Sequence, residues 1–155
     1  MSEVNMKKIN VNEKPYTLEV DIKESLSDVL RNRLQLTGIK QGCSVGECGA
    51  CSVIIDGLPI NSCIYLAVWA DGKKIKTIEG VAKNGKLSKV QQAFIDEGAV
   101  QCGFCTPGLV LTATALVESG KKYTDKEIRR EISGHLCRCT GYQKIYSAVK
   151  KSLKE

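Results

Sequence analysis

Eight cysteines fall into two groups of four. Cys43, Cys48 and Cys51 lie in QGCSVGECGAC, and Cys63 completes a C-x4-C-x2-C-x11-C spacing. Cys102, Cys105, Cys137 and Cys139 follow as C-x2-C-x31-C-x-C. Four thiolates can hold a zinc ion, pair as disulfides or ligate an iron–sulfur centre. The first run lacks the paired C-x2-C knuckles usual in structural zinc sites and has the C-x4-C-x2-C spacing of plant-type [2Fe–2S] centres. Gly42, Gly46 and Gly49 let its backbone turn tightly and aim amides at an inorganic core. The second spacing alone is compatible with zinc. Its context favours a cluster, because Cys105-Thr106 and Cys139-Thr140 each precede a predicted helix. Two helix N-termini would bring free amides and positive dipole ends to an anionic centre. Two redox centres on one chain suggest a path for electrons.

The elements that must position these cysteines change character along the chain. The first half reads as strands. Ile9 and Val11 alternate with polar residues, a turn falls at 12–14, and a second alternating run covers 16–20. A helix starting at Ser25 would present Leu26, Val29, Leu30 and Leu34 on one face, with Gly38 closing the segment. Residues 53–55 and 58–60 flank Asp56-Gly57 as a second hairpin. Residues 64–69 are apolar and read as a short helix, and 74–78 as a last strand. The expected product is a small mixed sheet crossed by one helix.

Beyond a linker at 80–86 the pattern becomes helical. Ser88 with Gln91 forms a capping box ahead of Val90, Ala93 and Phe94, and Gly98 ends that helix. Pro107 sits at the first turn of the next. Thr124 with Glu127 caps a third, carrying Ile128 and Ile132. Gly141 leads into a fourth with Ile145, Ala148, Val149 and Leu153. The reading is α+β, with domains at 1–80 and 81–155, the second a four-helix bundle. At 155 residues each core is modest, so bound metal should help hold the fold.

The formal net charge of +6 comes from scattered lysines. No long basic run with interleaved aromatics suggests a nucleic-acid interface. The N-terminal MSEVNMKKINVNEKP lacks the apolar core of a signal peptide. Residues 98–117 carry no charge, but Gly103, Pro107 and Gly108 interrupt them, so a loop and a buried helix are expected rather than a membrane span. A cytoplasmic location follows as the expectation, and there clustered cysteines bind metal or do redox chemistry rather than form disulfides.

QGCSVGECGAC, AVQCGFCTPG and GHLCRCTGY together resemble the small iron–sulfur subunit of the molybdenum hydroxylases, the xanthine dehydrogenase family. The resemblance spans nearly the whole chain. It implies an N-terminal β-grasp ferredoxin-like domain and a C-terminal helical domain, each with one [2Fe–2S] cluster. Cys43, Cys48, Cys51 and Cys63 would ligate the first, and Cys102, Cys105, Cys137 and Cys139 the second. It implies a large partner subunit holding molybdopterin-bound molybdenum and the substrate site, and a medium partner subunit holding FAD. Electrons would pass from molybdenum to the helical-domain cluster, then to the β-grasp cluster and the flavin. Gln101 and Cys139 map to positions that lie against the pterin in the family.

No substrate pocket and no Ser/His/Asp constellation is legible, so no residue here is expected to be catalytic. The stretch SCIYLAVWADGKKIKTIEG is most similar to bacterial xanthine dehydrogenase subunits and tips the substrate towards purines. Nicotinate, an aldehyde or carbon monoxide are the alternatives within the family. A free-standing ferredoxin-like carrier and a zinc-binding module are the alternatives outside it. The sole histidine, His135, reads as structural or surface-exposed. Tyr65 and Trp69 would cover the first centre or meet a partner. Arg138 would offset cluster charge or face a partner, and the terminal KKSLKE would be a solvated helix end.

Overall fold

The computed structural model describes residues 4–154. Strands β1 (Val4–Val11) and β2 (Lys14–Asp21) form an antiparallel hairpin, with Val11 opposite Lys14. Its turn places Asn12 and Glu13 at φ 51° and 67°. Two consecutive left-handed residues make the turn whose twist matches the strands it joins. β3 (Ser52–Ile55) and β4 (Leu58–Asn61) repeat the device with Asp56 and Gly57 at φ 48° and 89°. β5 (Lys74–Lys76) runs parallel to β1 and antiparallel to β3. The mixed sheet has the order β2-β1-β5-β3-β4.

The crossing helix is shorter than its pattern suggests. Ser25 caps α1 (Leu26–Asp28), accepting the Asp28 N–H at 3.1 Å. Residues Val29–Arg33 then widen into a π-helical turn. Leu26 and Leu30 are wholly buried on the sheet, and the wide turn still delivers Leu34 to the same core. Residues 64–69 do not make one helix. They are split between two 3-10 turns, Ser62–Ile64 and Ala67–Ala70. The last strand stops at Lys76, and Ile78–Gly80 forms another 3-10 turn.

Four helices follow: α2 (Lys89–Asp96), α3 (Thr106–Glu118), α4 (Asp125–Ile132) and α5 (Gln143–Lys154). Both expected capping boxes form, Ser88 with Gln91 and Thr124 with Glu127. Pro107 sits in the first turn of α3, where its missing N–H has no helical partner to lose. Helix α3 is the central element. It contacts α2, α4, α5 and the sheet strand β3. It is buried from Gly108 to Leu116, which explains its unbroken apolar run: a helix covered all round has no polar face to show. Among the described residues no helix is long and apolar enough to cross a membrane.

The sheet and the helices share an interface rather than a mere linker. All four residues of β3 are buried. Val53 and Ile55 enter the sheet core, and Ile54, on the opposite face, joins the helical core with Val90, Phe94 and Leu109. A strand buried on both faces loses its alternation. The chain's last turn is also less solvated than its charge suggests: Ser152 is buried, and Leu153 packs against the helical core.

Candidate metal centres

The loop carrying Cys43, Cys48 and Cys51 leaves α1 and returns into β3. It turns with Ser44, Gly46 and Gly49 in the left-handed region, at φ 58°, 82° and 71°. Asn61 pins its crest by donating to the Gly46 carbonyl at 2.8 Å. The Ser62 hydroxyl donates to the Cys51 carbonyl at 2.6 Å, which fixes the turn carrying Cys63. Gly42 is required for space, since a Cβ there would lie 2.9 Å from Cys48 Sγ.

This loop points amides at sulfur. Cys43 Sγ accepts from the N–H groups of Val45, Glu47 and Cys48 at 3.4, 3.3 and 3.4 Å. Those donors lower its thiol to about 6, because a hydrogen bond to the charged form favours that form. Cys63 is pushed up to about 11, first by burial and then by the neighbouring Cys51.

The second site assembles around the start of α3. Cys105 caps that helix, and burial, with Cys137 and Cys102 beside it, pushes its thiol up to about 12. For Cys137 burial acts upward, but the Thr140 hydroxyl and the backbone amides of Thr140 and Cys139 outweigh it and hold the thiol below its ordinary value. The Thr140 hydroxyl lies 3.1 Å from Cys137 Sγ. Tyr142 Oη accepts the Cys137 N–H at 2.7 Å. Cys139 is raised, chiefly by its contact with Cys102.

One expectation changes here. The helix after Cys139-Thr140 does not begin on the site. Gly141 and Tyr142 adopt φ 64° and 68°, and α5 starts at Gln143. The left-handed pair breaks the helix. On either side of Gly141, the Thr140 hydroxyl meets Cys137 Sγ and the Tyr142 hydroxyl accepts the Cys137 N–H.

The thiols act on one another most strongly in couples. Cys48 donates its N–H to Cys43 Sγ, and Cys51 is the thiol that most raises Cys63. In the other site Cys105 couples with Cys137, and Cys139 with Cys102. All eight are free thiols. Among the described residues, no group of three or more Cys, His, Asp or Glu side chains converges as a single ion requires. Mononuclear zinc needs four donors round one point. Four thiols at each site, with amides and a hydroxyl aimed at sulfur, suit a [2Fe–2S] group at both sites.

The remaining candidates separate clearly. Gln101, Cys102, Arg138 and Cys139 are all exposed. Trp69 is 56% exposed and meets Tyr65 edge-on at 5.6 Å between ring centroids. His135 is buried, so the surface alternative is removed; burial lowers its ring to about 4. Sequence reasoning missed its neighbours, Thr112 and Gly108 on α3.

Comparison with known proteins agrees with this geometry. Residues 9–74 match the family described as the 2Fe-2S iron-sulfur cluster binding domain, and 77–150 the [2Fe-2S] binding domain. The xanthine dehydrogenase iron-sulfur-binding subunit of Escherichia coli O157:H7 is 55% identical over 141 residues, covering 90% of this chain and 88% of that one. The nicotinate dehydrogenase small FeS subunit of Eubacterium barkeri is 49% identical over 146 residues, covering 94% and 93%. The crystal structure of quinoline 2-oxidoreductase from Pseudomonas putida 86 contains a chain that superposes with a TM-score of 0.91 at 39% identity, covering 99% of this chain and 96% of that one.

Proposed function

The chain belongs to the small [2Fe–2S] subunits of the molybdenum hydroxylases, and from that premise we propose that it relays electrons within a cytoplasmic purine hydroxylase. The observation that carries the relay is a pair of sites built for sulfur, one under the amides that reach Cys43 Sγ and one beside the Thr140 hydroxyl at Cys137 Sγ, each inside a match to a [2Fe-2S] domain. Cys43, Cys48, Cys51 and Cys63 would hold one cluster in a domain reaching to residue 80. Cys102, Cys105, Cys137 and Cys139 would hold the other in the domain beyond it. Each cluster when bound takes up and gives up one electron, so the two supply a relay between molybdopterin-bound molybdenum on a large partner and FAD on a medium partner. The chain's own residues hold the sulfurs, aim amides and hydroxyls at them, and present one edge to each partner.

For the substrate, support comes from the E. coli relative named for xanthine, the more similar of the two curated relatives above. The test is visible absorbance of the complex purified through this chain, before and after anaerobic xanthine. Bleaching of the iron–sulfur bands by xanthine is the expected result. Bleaching by dithionite alone, in a complex with molybdenum loaded, would remove xanthine and retain the relay.

Gln101 and Cys139 form the proposed pterin-facing edge, supported by their shared exposure beside Cys102. Gln101→Ala removes an exposed amide and no sulfur. It should leave iron content intact and slow reduction of the nearer cluster by substrate roughly 10-fold, the lower range for a residue that orients a metal group. Rapid-mixing absorbance would measure this. Loss of iron would instead make Gln101 part of the cluster's scaffold.

A further inference from the structure

The sole histidine lies where three segments meet. His135 is 5% exposed. Its Nε2 is 2.8 Å from Thr112 Oγ1 on α3. Its Nδ1 faces the Gly49 carbonyl, in the loop between Cys48 and Cys51. That carbonyl already accepts from the Ser52 N–H at 3.1 Å and the Ser52 hydroxyl at 2.8 Å. Nδ1 therefore approaches it without full hydrogen-bond geometry. The ring's one hydrogen bond is therefore the one between Nε2 and the Thr112 hydroxyl.

The ring is also wedged between two glycines. A Cβ on Gly49 would lie 2.5 Å from Nδ1. A Cβ on Gly108 would lie 2.5 Å from the Gly49 carbonyl oxygen and 3.2 Å from Nδ1. The next residue makes the direct connection between the two sites: Leu136 N–H donates to the Cys48 carbonyl at 3.0 Å. Cys137 follows Leu136 in the chain. One hydrogen bond and one residue thus join a cysteine of the first site to a cysteine of the second.

We infer that His135 is a positioning residue that, held by Thr112 and seated on Gly49, keeps Leu136 on the Cys48 carbonyl and so fixes the spacing of the two four-cysteine sites for electron exchange. The inference rests on both sites holding [2Fe–2S] clusters. The exchange moves one electron from a reduced cluster to an oxidised one, and no bond forms or breaks. A purely space-filling role would be met by an apolar ring. A buried imidazole costs desolvation unless its nitrogens are used, and here one of them ties α3 to the loop segment.

The test uses the assembled complex with His135→Phe, and with Thr112→Val, which keeps the ring and removes only its tie. Electrons are injected singly by a photoreduced flavin, so substrate turnover is not needed. The readouts are iron per chain, the magnetic splitting between the two reduced clusters, the rate at which they equilibrate, and the melting temperature. Both variants should keep their iron and each cluster's own spectrum. The splitting should shrink and equilibration should slow roughly 10-fold, as for other residues that orient metal ligands. Unchanged splitting and rate, with only a lower melting temperature, would make His135 a packing residue and overturn the inference. Loss of one cluster's iron would overturn it too, since the residue would then be building a site rather than spacing two. A wild-type complex without iron for two clusters would instead defeat the reading beneath it.

Discussion

A complex carrying Cys43→Ser is expected to lose the cluster of the sheet half and keep that of the helical half. Cys43 is the sulfur on which the first loop concentrates its donors. Three backbone amides reach it, and its thiol is lowered to about 6. The loop is folded to receive a thiolate there. A serine hydroxyl in the same place stays protonated at neutral pH and offers iron a weak neutral oxygen. The three amides would then face a poor acceptor, at a cost to the loop itself. Iron per complex should fall by about half, and turnover with the physiological acceptor by at least about 100-fold, the upper range already seen for residues that merely support ligands. Anaerobic substrate should still reduce the remaining cluster, visible by paramagnetic resonance after freeze-quenching. The asymmetry carries the information. Loss of turnover with reduction retained places the sheet-half cluster on the exit side of the relay. Normal turnover would show that electrons leave without it, and the linear order would be wrong.

The cysteines and the local punctuation were legible because they depend on neighbours in sequence. The Asp56-Gly57 turn and the capping boxes at Ser88 and Thr124 each form from residues three or fewer apart. The failures share a different cause. Residues 64–69 run from the end of one 3-10 turn into the next, with Ala67 buried and Ile64 and Trp69 exposed, and no period distinguishes that from one helix. The left-handed Tyr142 that delays α5 is a non-glycine residue in a glycine-like conformation. Its reason lies in the Cys137 N–H that its hydroxyl accepts, a contact no propensity encodes. His135 was hidden for the same reason. Its neighbours Thr112 and Gly49 are 23 and 86 residues away in sequence. A lone histidine two residues before a ligand cysteine was the available signal, and it pointed to no specific partner.

Gly108 offers the sharpest conflict between local and tertiary rules. It lies in the first turn of α3, and replacing a helical glycine by alanine ordinarily stabilises by about 1 kcal/mol. Here the new methyl would meet the Gly49 carbonyl oxygen at 2.5 Å. The obstacle is backbone, locked by Ser52, so it cannot swing aside as a flexible side chain would. Overpacking of a fixed contact costs about 1–3 kcal/mol, and displacing α3 would also loosen the Thr112 tie to His135. Gly108→Ala should therefore destabilise the loaded complex by about 2 kcal/mol. For a chain of this size that lowers the melting temperature by about 4–8 °C. Gly49→Ala should cost more. It adds left-handed strain at φ 71° to contacts with the Gly134 carbonyl oxygen and His135, and that strain alone costs about 1–2 kcal/mol. Gly120→Ala separates the two effects, since Gly120 has φ 66° but nothing within 4 Å of a Cβ. Its loss should be the backbone term alone, smaller than that of Gly49→Ala. A rise in melting temperature for Gly108→Ala would mean that helix propensity outweighs the junction, and that the loop yields where α3 meets it. A fall larger than that of Gly120→Ala would mean that the two halves are held at a fixed distance by the absence of two methyl groups.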